Sequence, residues 1–265
     1  MNTNNWLRLL CTTVLTATLV ACTSMQSGSP SSSESKASAG GGNLAAALAS
    51  ANRPADDKSR DADRKPAELM QFFGVKPGMT TVDLIALGGY ITEVLSVAVG
   101  PKGKVYAQNP PVALQLRDGM YAKAITERLA NNRLPNVVRV DGDLPASSQI
   151  PPGSVDVAIT AMNYHDVRNM NPEIATGFLK AVYSMLKPGG VLGVTDHVGN
   201  DGADNAQLHR IPKHFLIEDA KAAGYTVEAE SDILAHSADD HTKNVFDPTL
   251  RGKTDQFVVR LRKPK

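Results

Sequence analysis

The chain runs to 265 residues, 42% of them hydrophobic, with a formal net charge of +1; that is apolar material enough for one domain with a sizeable core. No basic stripe interleaved with aromatics accompanies the near-neutral charge, so nucleic acid is not expected as a partner. The two cysteines, Cys11 and Cys22, both precede the expected domain, which excludes a disulfide, a cysteine–zinc site and a cysteine nucleophile within it.

Before Cys22 the only charged side chain is Arg8, and an apolar run follows from Leu9 to Ala21. That run is too short to span a bilayer comfortably and has the charged start and apolar middle of a secretory leader. It ends L-V-A-C, which resembles the lipobox of bacterial lipoproteins. The resemblance implies a leader over 1–21, acylation of Cys22 as the first mature residue, and a lipid-anchored protein of the bacterial cell envelope. Thr23, where an aspartate would favour inner-membrane retention, points to the outer membrane, facing the periplasm. Residues 22–50 are rich in Ser, Gly and Ala and read as a flexible tether. The domain is expected over 51–265.

Within it, T-T-V-D-L-I-A-L (80–87) predicts a strand, and 91–99 a helix with apolar positions at Ile91, Val94, Leu95 and Ala98. A strand at 103–109, a helix over 112–132 and a strand at 136–140 follow. S-V-D-V-A-I-T-A-M (154–162) is a continuous apolar strand, as expected where both sheet faces are covered. The helix at 172–187 stops at K-P-G-G, and V-L-G-V-T-D-H (191–197) is the next strand. A helix at 212–223 leads to strands at 225–231 and 255–262, which can pair as antiparallel neighbours. Between those strands, 232–254 lacks periodicity, and a loop that long in a compact domain is usually functional or disordered. Repeated strand–helix alternation predicts a parallel sheet with ligands at the carboxyl ends of its strands.

Five parallel βα units with a two-strand ending resemble the class I S-adenosylmethionine-dependent methyltransferases. V-K-P-G-M-T-T-V-D-L, G-P-K-G-K-V-Y-A and L-K-P-G-G-V-L-G-V lead into the first, second and fifth strands as in that class. More narrowly, the chain is similar to a family of bacterial "predicted methyltransferase" proteins. The pieces that carry this are R-P-A-D-D-K-S-R-D (53–61), N-Y-H-D (163–166), D-H (196–197), L-H-R-I (208–211) and A-D-D-H-T-K-N-V-F-D-P-T-L-R-G-K-T-D-Q-F (238–257). The resemblance covers about 50–265. It implies a Rossmann-like α/β fold, a seven-stranded mostly parallel sheet with an antiparallel last strand and helices on both faces, and S-adenosylmethionine as cofactor.

Aligned on the pattern Asp–x–Gly–x–Gly–x–Gly, Asp83 matches the acid, and Ile85, Leu87 and Gly89 match the glycines. A β-branched residue where the backbone needs φ > 0 is strongly disfavoured. Either the backbone here takes another path, or Ile85 and Leu87 project where the methionine part of the cofactor lies. Gly88, Gly89 and Tyr90 complete the turn. Asn109 stands where an acid usually accepts the ribose hydroxyls, and Asp143, in D-G-D-L-P, can face an adenine amino group or be a solvated turn residue. Asn163 closes the expected cofactor set.

N-Y-H-D falls at the carboxyl end of the fourth strand. His165 is the candidate general base, with Asp166 and His241 as orienting or substrate-binding groups; Tyr164, His197 and Asp240 are candidate contacts to a small-molecule substrate whose identity the sequence does not give. His214 and His236 lack such placement. The spacing holds no dense metal motif, so no residue is assigned to a metal. Methyl transfer is the leading expectation. A binding protein that kept the fold and lost the cofactor is the alternative, since this cofactor is made in the cytosol and a periplasmic domain meets little of it. A metal-assisted hydrolase built on the His/Asp cluster is a third.

Overall fold

The computed structural model describes residues 41–145 and 149–265. The leader, Cys22 and the tether up to residue 40 lie outside the described residues.

Among the described residues four helices precede the sheet: α1 (Gly41–Ser50), α2 (Ala55–Ser59), α3 (Asp61–Arg64) and α4 (Pro66–Phe73). The first corrects the expected tether, which loses residues 41–50 to a helix. Alanine is the best helix former, and Leu44 and Leu48, one turn apart, give the segment an apolar edge. Leu48 is buried in the core beside Met70, Phe73 and Leu95. The carbonyls at the end of α1 accept from Arg53 and Lys58.

The alternating part follows as β1 (Thr80–Leu84), α5 (Tyr90–Val99), β2 (Lys104–Asn109), α6 (Pro111–Leu129), β3 (Val137–Asp141), β4 (Val155–Ala161), α7 (Tyr164–Met170), α8 (Pro172–Met185) and β5 (Leu186–His197). Then come α9 (Asn205–Leu208), α10 (Lys213–Ala222), β6 (Thr226–Ser231) and β7 (Gln256–Arg262). Three expected boundaries move. β1 ends at Leu84 because Ile85 turns left-handed, leaving the strand region. The helix expected over 112–132 is interrupted at Leu116–Gly119, where Arg117 and Asp118 are left-handed. β5 begins at Leu186, which pairs with Val155 before the register shifts at Val157.

The sheet order is β3-β2-β1-β4-β5-β7-β6, with β7 antiparallel to both neighbours and the other strands parallel. Alternate residues feed two cores. Val82, Leu84 and Ala158 pack with Leu179, Val182 and Met185 of α8 and Leu216 of α10. Val157 and Ile159 pack on the opposite face with α4 and α5. Gly193 in β5 makes room for α4, since a Cβ there would lie 2.6 Å from the Phe73 ring. The chain reverses its direction of travel across the sheet between β1 and β4. In open α/β sheets such a switch point, at the carboxyl ends of the two strands, is where ligands bind.

Candidate functional site

The turn after β1 keeps the glycine-type path without its glycines. Ile85 (φ 53), Leu87 (φ 50) and Gly89 (φ 80) are all left-handed, so of the two alternatives the different backbone path is the one the structure sets aside. For an L-residue this conformation costs roughly 1–2 kcal/mol. Three amide side chains hold it in place. Gln108 Oε1 accepts from Ile85 N–H at 3.3 Å, Asn109 Oδ1 accepts from Leu87 N–H at 2.7 Å, and Asn163 Nδ2 donates to Ile85 C=O at 3.2 Å. At about 1 kcal/mol net each, these bonds are of the size needed to offset the strain. Gly89 is also sterically required, since a Cβ would meet Ile125 Cδ1 at 2.7 Å.

The remaining residues expected around a cofactor mostly hold the turn together. Asp83 is buried and accepts from Thr92 Oγ1 at 2.6 Å, anchoring the first turn of α5; burial pushes its carboxyl up to about 7 against the pull of the Thr92 donors. Asn109 is fully buried, with Oδ1 committed to Leu87 and Nδ2 without a partner among the described residues. Asp143 is exposed in the loop after β3. Gly88 C=O accepts from Arg128 Nε at 2.6 Å. The Tyr90 hydroxyl donates to Asp61 at 2.7 Å, and the guanidiniums of Arg53, Arg60 and Arg64 lie over its ring. Arg128 further pairs with Asp57 and Glu93, and Arg53 with Asp61, so the segment 53–61 is clamped over the turn.

The second cluster stands at the ends of β4 and β5. Asp196, fully buried, accepts from His165 N–H at 2.8 Å and His197 N–H at 2.8 Å, and bonds His165 Nδ1 at 2.7 Å. His165 is thereby oriented with Nε2 toward Asp166 Oδ1 at 3.2 Å, and Asp166 Oδ1 lies 3.3 Å from His209 Nδ1. Burial opposes charge on His165, but Asp196 and then Asp166 override it and push the ring up to about 10. His197 is buried 5.9 Å away, ring centroid to centroid, with Nδ1 unpartnered among the described residues; burial holds its ring down at about 4.

Three expected members do not join this cluster. Tyr164 is fully buried, its hydroxyl donating to Asp219 at 2.8 Å and its ring beside Phe178, so it faces the core and not a substrate. The reason is the start of α7 at Tyr164, which sends successive side chains to different sides. His241 does not pair with His165; Asp255 takes its Nε2 at 2.9 Å and Asn200 its Nδ1 at 3.2 Å. Asp240 is exposed and accepts from Thr242 within its own turn. His209, to which L-H-R-I gave a place in the sequence pattern but no role, belongs to the cluster. Arg210 is fully buried and pairs with Asp239, pinning the 232–254 loop against the end of β5.

No family model matches the chain, and no curated protein matches it. Solved structures do. A SAM-dependent methyltransferase from Aquifex aeolicus aligns with TM-score 0.54 at 22% identity, covering 75% of this chain and 89% of that one. The [4+2]-cyclase SpnF aligns with TM-score 0.56 at 18% identity over 77% and 81%. An arsenic(III) S-adenosylmethionine methyltransferase from Chlamydomonas reinhardtii aligns with TM-score 0.51 at 19% identity over 84% and 73%. With the sheet order, these establish the Rossmann-like class I methyltransferase fold. That fold also carries a cyclase, so it fixes the architecture and leaves the reaction to the site.

Two predictions test the turn. Asn109→Ala should destabilise the chain by about 1–3 kcal/mol by freeing the Leu87 amide, and adding Leu87→Gly should recover part of the loss. Additive effects in denaturant melts would show that Asn109 does not hold the turn. The second concerns Asp83, whose carboxyl titrates near 3.8 unfolded and about 7 folded. The folded state binds this proton more tightly, so the contribution to stability is present below about pH 4 and lost as pH rises to about 7. Asp83→Asn should therefore gain stability relative to the native chain on going from pH 5 to pH 8; a pH-independent difference would contradict the buried-acid assignment.

Proposed function

We propose that the chain binds S-adenosylmethionine and directs its methyl group to a small-molecule acceptor. The observation that carries this reading is the turn at 85–89, left-handed at each glycine position and set at the switch point of a class I methyltransferase fold. A strained backbone that its surroundings hold this firmly is a mark of a functional site. The fit to the cofactor rests on that turn. Gly88 and Gly89 would border it, Asp143 after β3 would reach the adenine, and Asn163 stands between the turn and the acceptor side. The cofactor supplies a methyl group already activated on a cationic sulfur.

The acceptor side is the end of β4 and β5. Catalysis in such a site is mostly positioning of a nucleophile in line with the departing sulfur. Asp196 fixes the His165 ring, and His165 takes the acceptor's proton in the fraction of molecules, growing as pH rises toward about 10, in which the ring is neutral. Asp166 lies beside it, with its side chain 59% exposed.

Two observations favour a second reading, a ligand-binding protein without methyl transfer. With the glycine-type path kept, Ile85 and Leu87 are side chains that the methionine part of the cofactor would have to clear. Asn109, in the place of the ribose-binding acid, is fully buried and already committed to Leu87. Titration calorimetry of the purified chain with S-adenosylmethionine separates the two. Micromolar binding is expected, with His165→Ala losing most activity while cofactor affinity stays nearly intact. No binding up to millimolar concentration in a folded sample would sink the first reading and leave the second.

We also propose that the protein is an envelope lipoprotein acylated at Cys22, supported by L-V-A-C at the end of the apolar run. Cys22→Ser should abolish incorporation of labelled palmitate and release the chain from the membrane fraction. Unchanged labelling would overturn the assignment.

A further inference from the structure

His165, Asp166 and His209 come from two separate segments, the β4–α7 junction and the end of α9. Each offers a ligand atom, and these atoms all lie within 4.8 Å of one another. We propose that they form a site for one divalent transition-metal ion, such as zinc, manganese or ferrous iron, bound by His165 Nε2, an Asp166 oxygen and His209 Nδ1.

The spacing around Asp166 fits ligands of one ion as well as it fits hydrogen bonds. Metal–nitrogen and metal–oxygen bonds of about 2.0–2.2 Å at cis or tetrahedral angles separate neighbouring donors by about 3.0–3.5 Å. Asp166 Oδ1 lies 3.2 Å from His165 Nε2 and 3.3 Å from His209 Nδ1. Charge-assisted hydrogen bonds run shorter, about 2.7–2.9 Å. The neighbouring pair shows the contrast: Asp196 meets His165 Nδ1 at 2.7 Å.

That pair also prepares the ligand. A carboxylate on one ring nitrogen fixes the tautomer and turns the lone pair of the other toward the ion, as behind most metal-bound histidines. Asp196 is in turn held by the backbone N–H groups of His165 and His197, so the ring has little freedom. Asp166 at the ion and Asp196 behind the ring together balance a dication. The ring of His209 is delivered by a left-handed backbone (φ 55), and such an outlier calls for a reason. Phe246 packs edge-on against it at 4.9 Å, walling one side. The other side is open, with the side chains of Asp166 and His209 59% and 36% exposed. Three protein ligands with open positions suit a working site better than a structural one, which closes with four.

The inference stands whether or not the chain transfers methyl groups. With an ion on Nε2, that lone pair would no longer be open to a proton; the ion would instead make an acceptor bound to it more acidic, and the acceptor's proton would pass to water on the open side.

The test uses the full chain, purified without chelator and free of affinity tags, stripped with EDTA, and titrated separately with Zn²⁺, Mn²⁺ and Co²⁺. One ion per chain is expected by elemental analysis and calorimetry, with Co²⁺ giving a visible absorption band. His209→Ala, at a partly exposed position where folding is not at risk, should weaken binding at least tenfold and shift the Co²⁺ band. His214→Ala, outside the cluster, should change neither. No ion retained and no binding up to millimolar metal in a folded sample would overturn the site. Equal affinity and an unshifted band in His209→Ala would overturn it as well. None of these readouts depends on cofactor binding, so failure of the metal site and failure of methyl transfer remain distinguishable.

Discussion

A single buried carboxylate organises the acceptor side of this molecule. Asp196, the second-last residue of β5, has no exposed surface and would cost several kcal/mol if left unpaired. Two backbone N–H groups and one imidazole nitrogen satisfy it. Because one of those backbone groups belongs to His165, the bond ties the start of α7 to the end of β5. Because the imidazole belongs to the same residue, the ring is aimed by the tie. Asp166 then follows by sequence, and His209 by the return of the chain through α9. The chemistry of the cluster thus descends from one desolvated charge and its three donors.

Much of what looked like chemistry in the sequence is scaffolding for that cluster and for the turn. R-P-A-D-D-K-S-R-D supplies Arg53, Asp57 and Asp61, whose ion pairs with one another and with Arg128 lock the N-terminal segment over Gly88 and Tyr90. The long piece around 238–257 supplies Asp239, which buries against Arg210, and Asp255, which takes the His241 ring. These are paired, mostly desolvated charges. Breaking one partner would strand the other, which explains why such residues come as sets.

The sheet was legible because its signals are local: apolar runs of strand length, helical spacing between them, and glycine or proline at the joins. The end of β4 was legible for the same reason, and His165 with it. Side-chain direction was not. Tyr164 and His165 are neighbours, yet one fills the core against Asp219 and the other opens on the site, a difference set by where α7 starts. His209 and His241 were harder still, since their positions depend on loops pinned by a buried ion pair distant in sequence. The helix at 41–50 was hidden by composition: alanine reads as low complexity until Leu44 and Leu48 find α4 and α5 to pack against.

The missing glycines show a different way to build a cofactor-type turn. Glycine achieves a left-handed path by having no side chain to clash, at an entropic cost in the unfolded chain. Here the path is kept with Ile85 and Leu87 in place, and the strain is met by Gln108, Asn109 and Asn163 from the neighbouring strand ends. Those side chains do the holding from outside the turn, so the turn is only as stable as the strand ends that present them. Asn163 makes the dependence mutual. Its amide reaches back to Ala161 C=O and across to Ile85 C=O, two residues ahead of His165 in the chain. The strained turn and the His165 cluster therefore share a support. Loss of the Asn163 amide would therefore remove a bond from the turn and from the end of β4 at once.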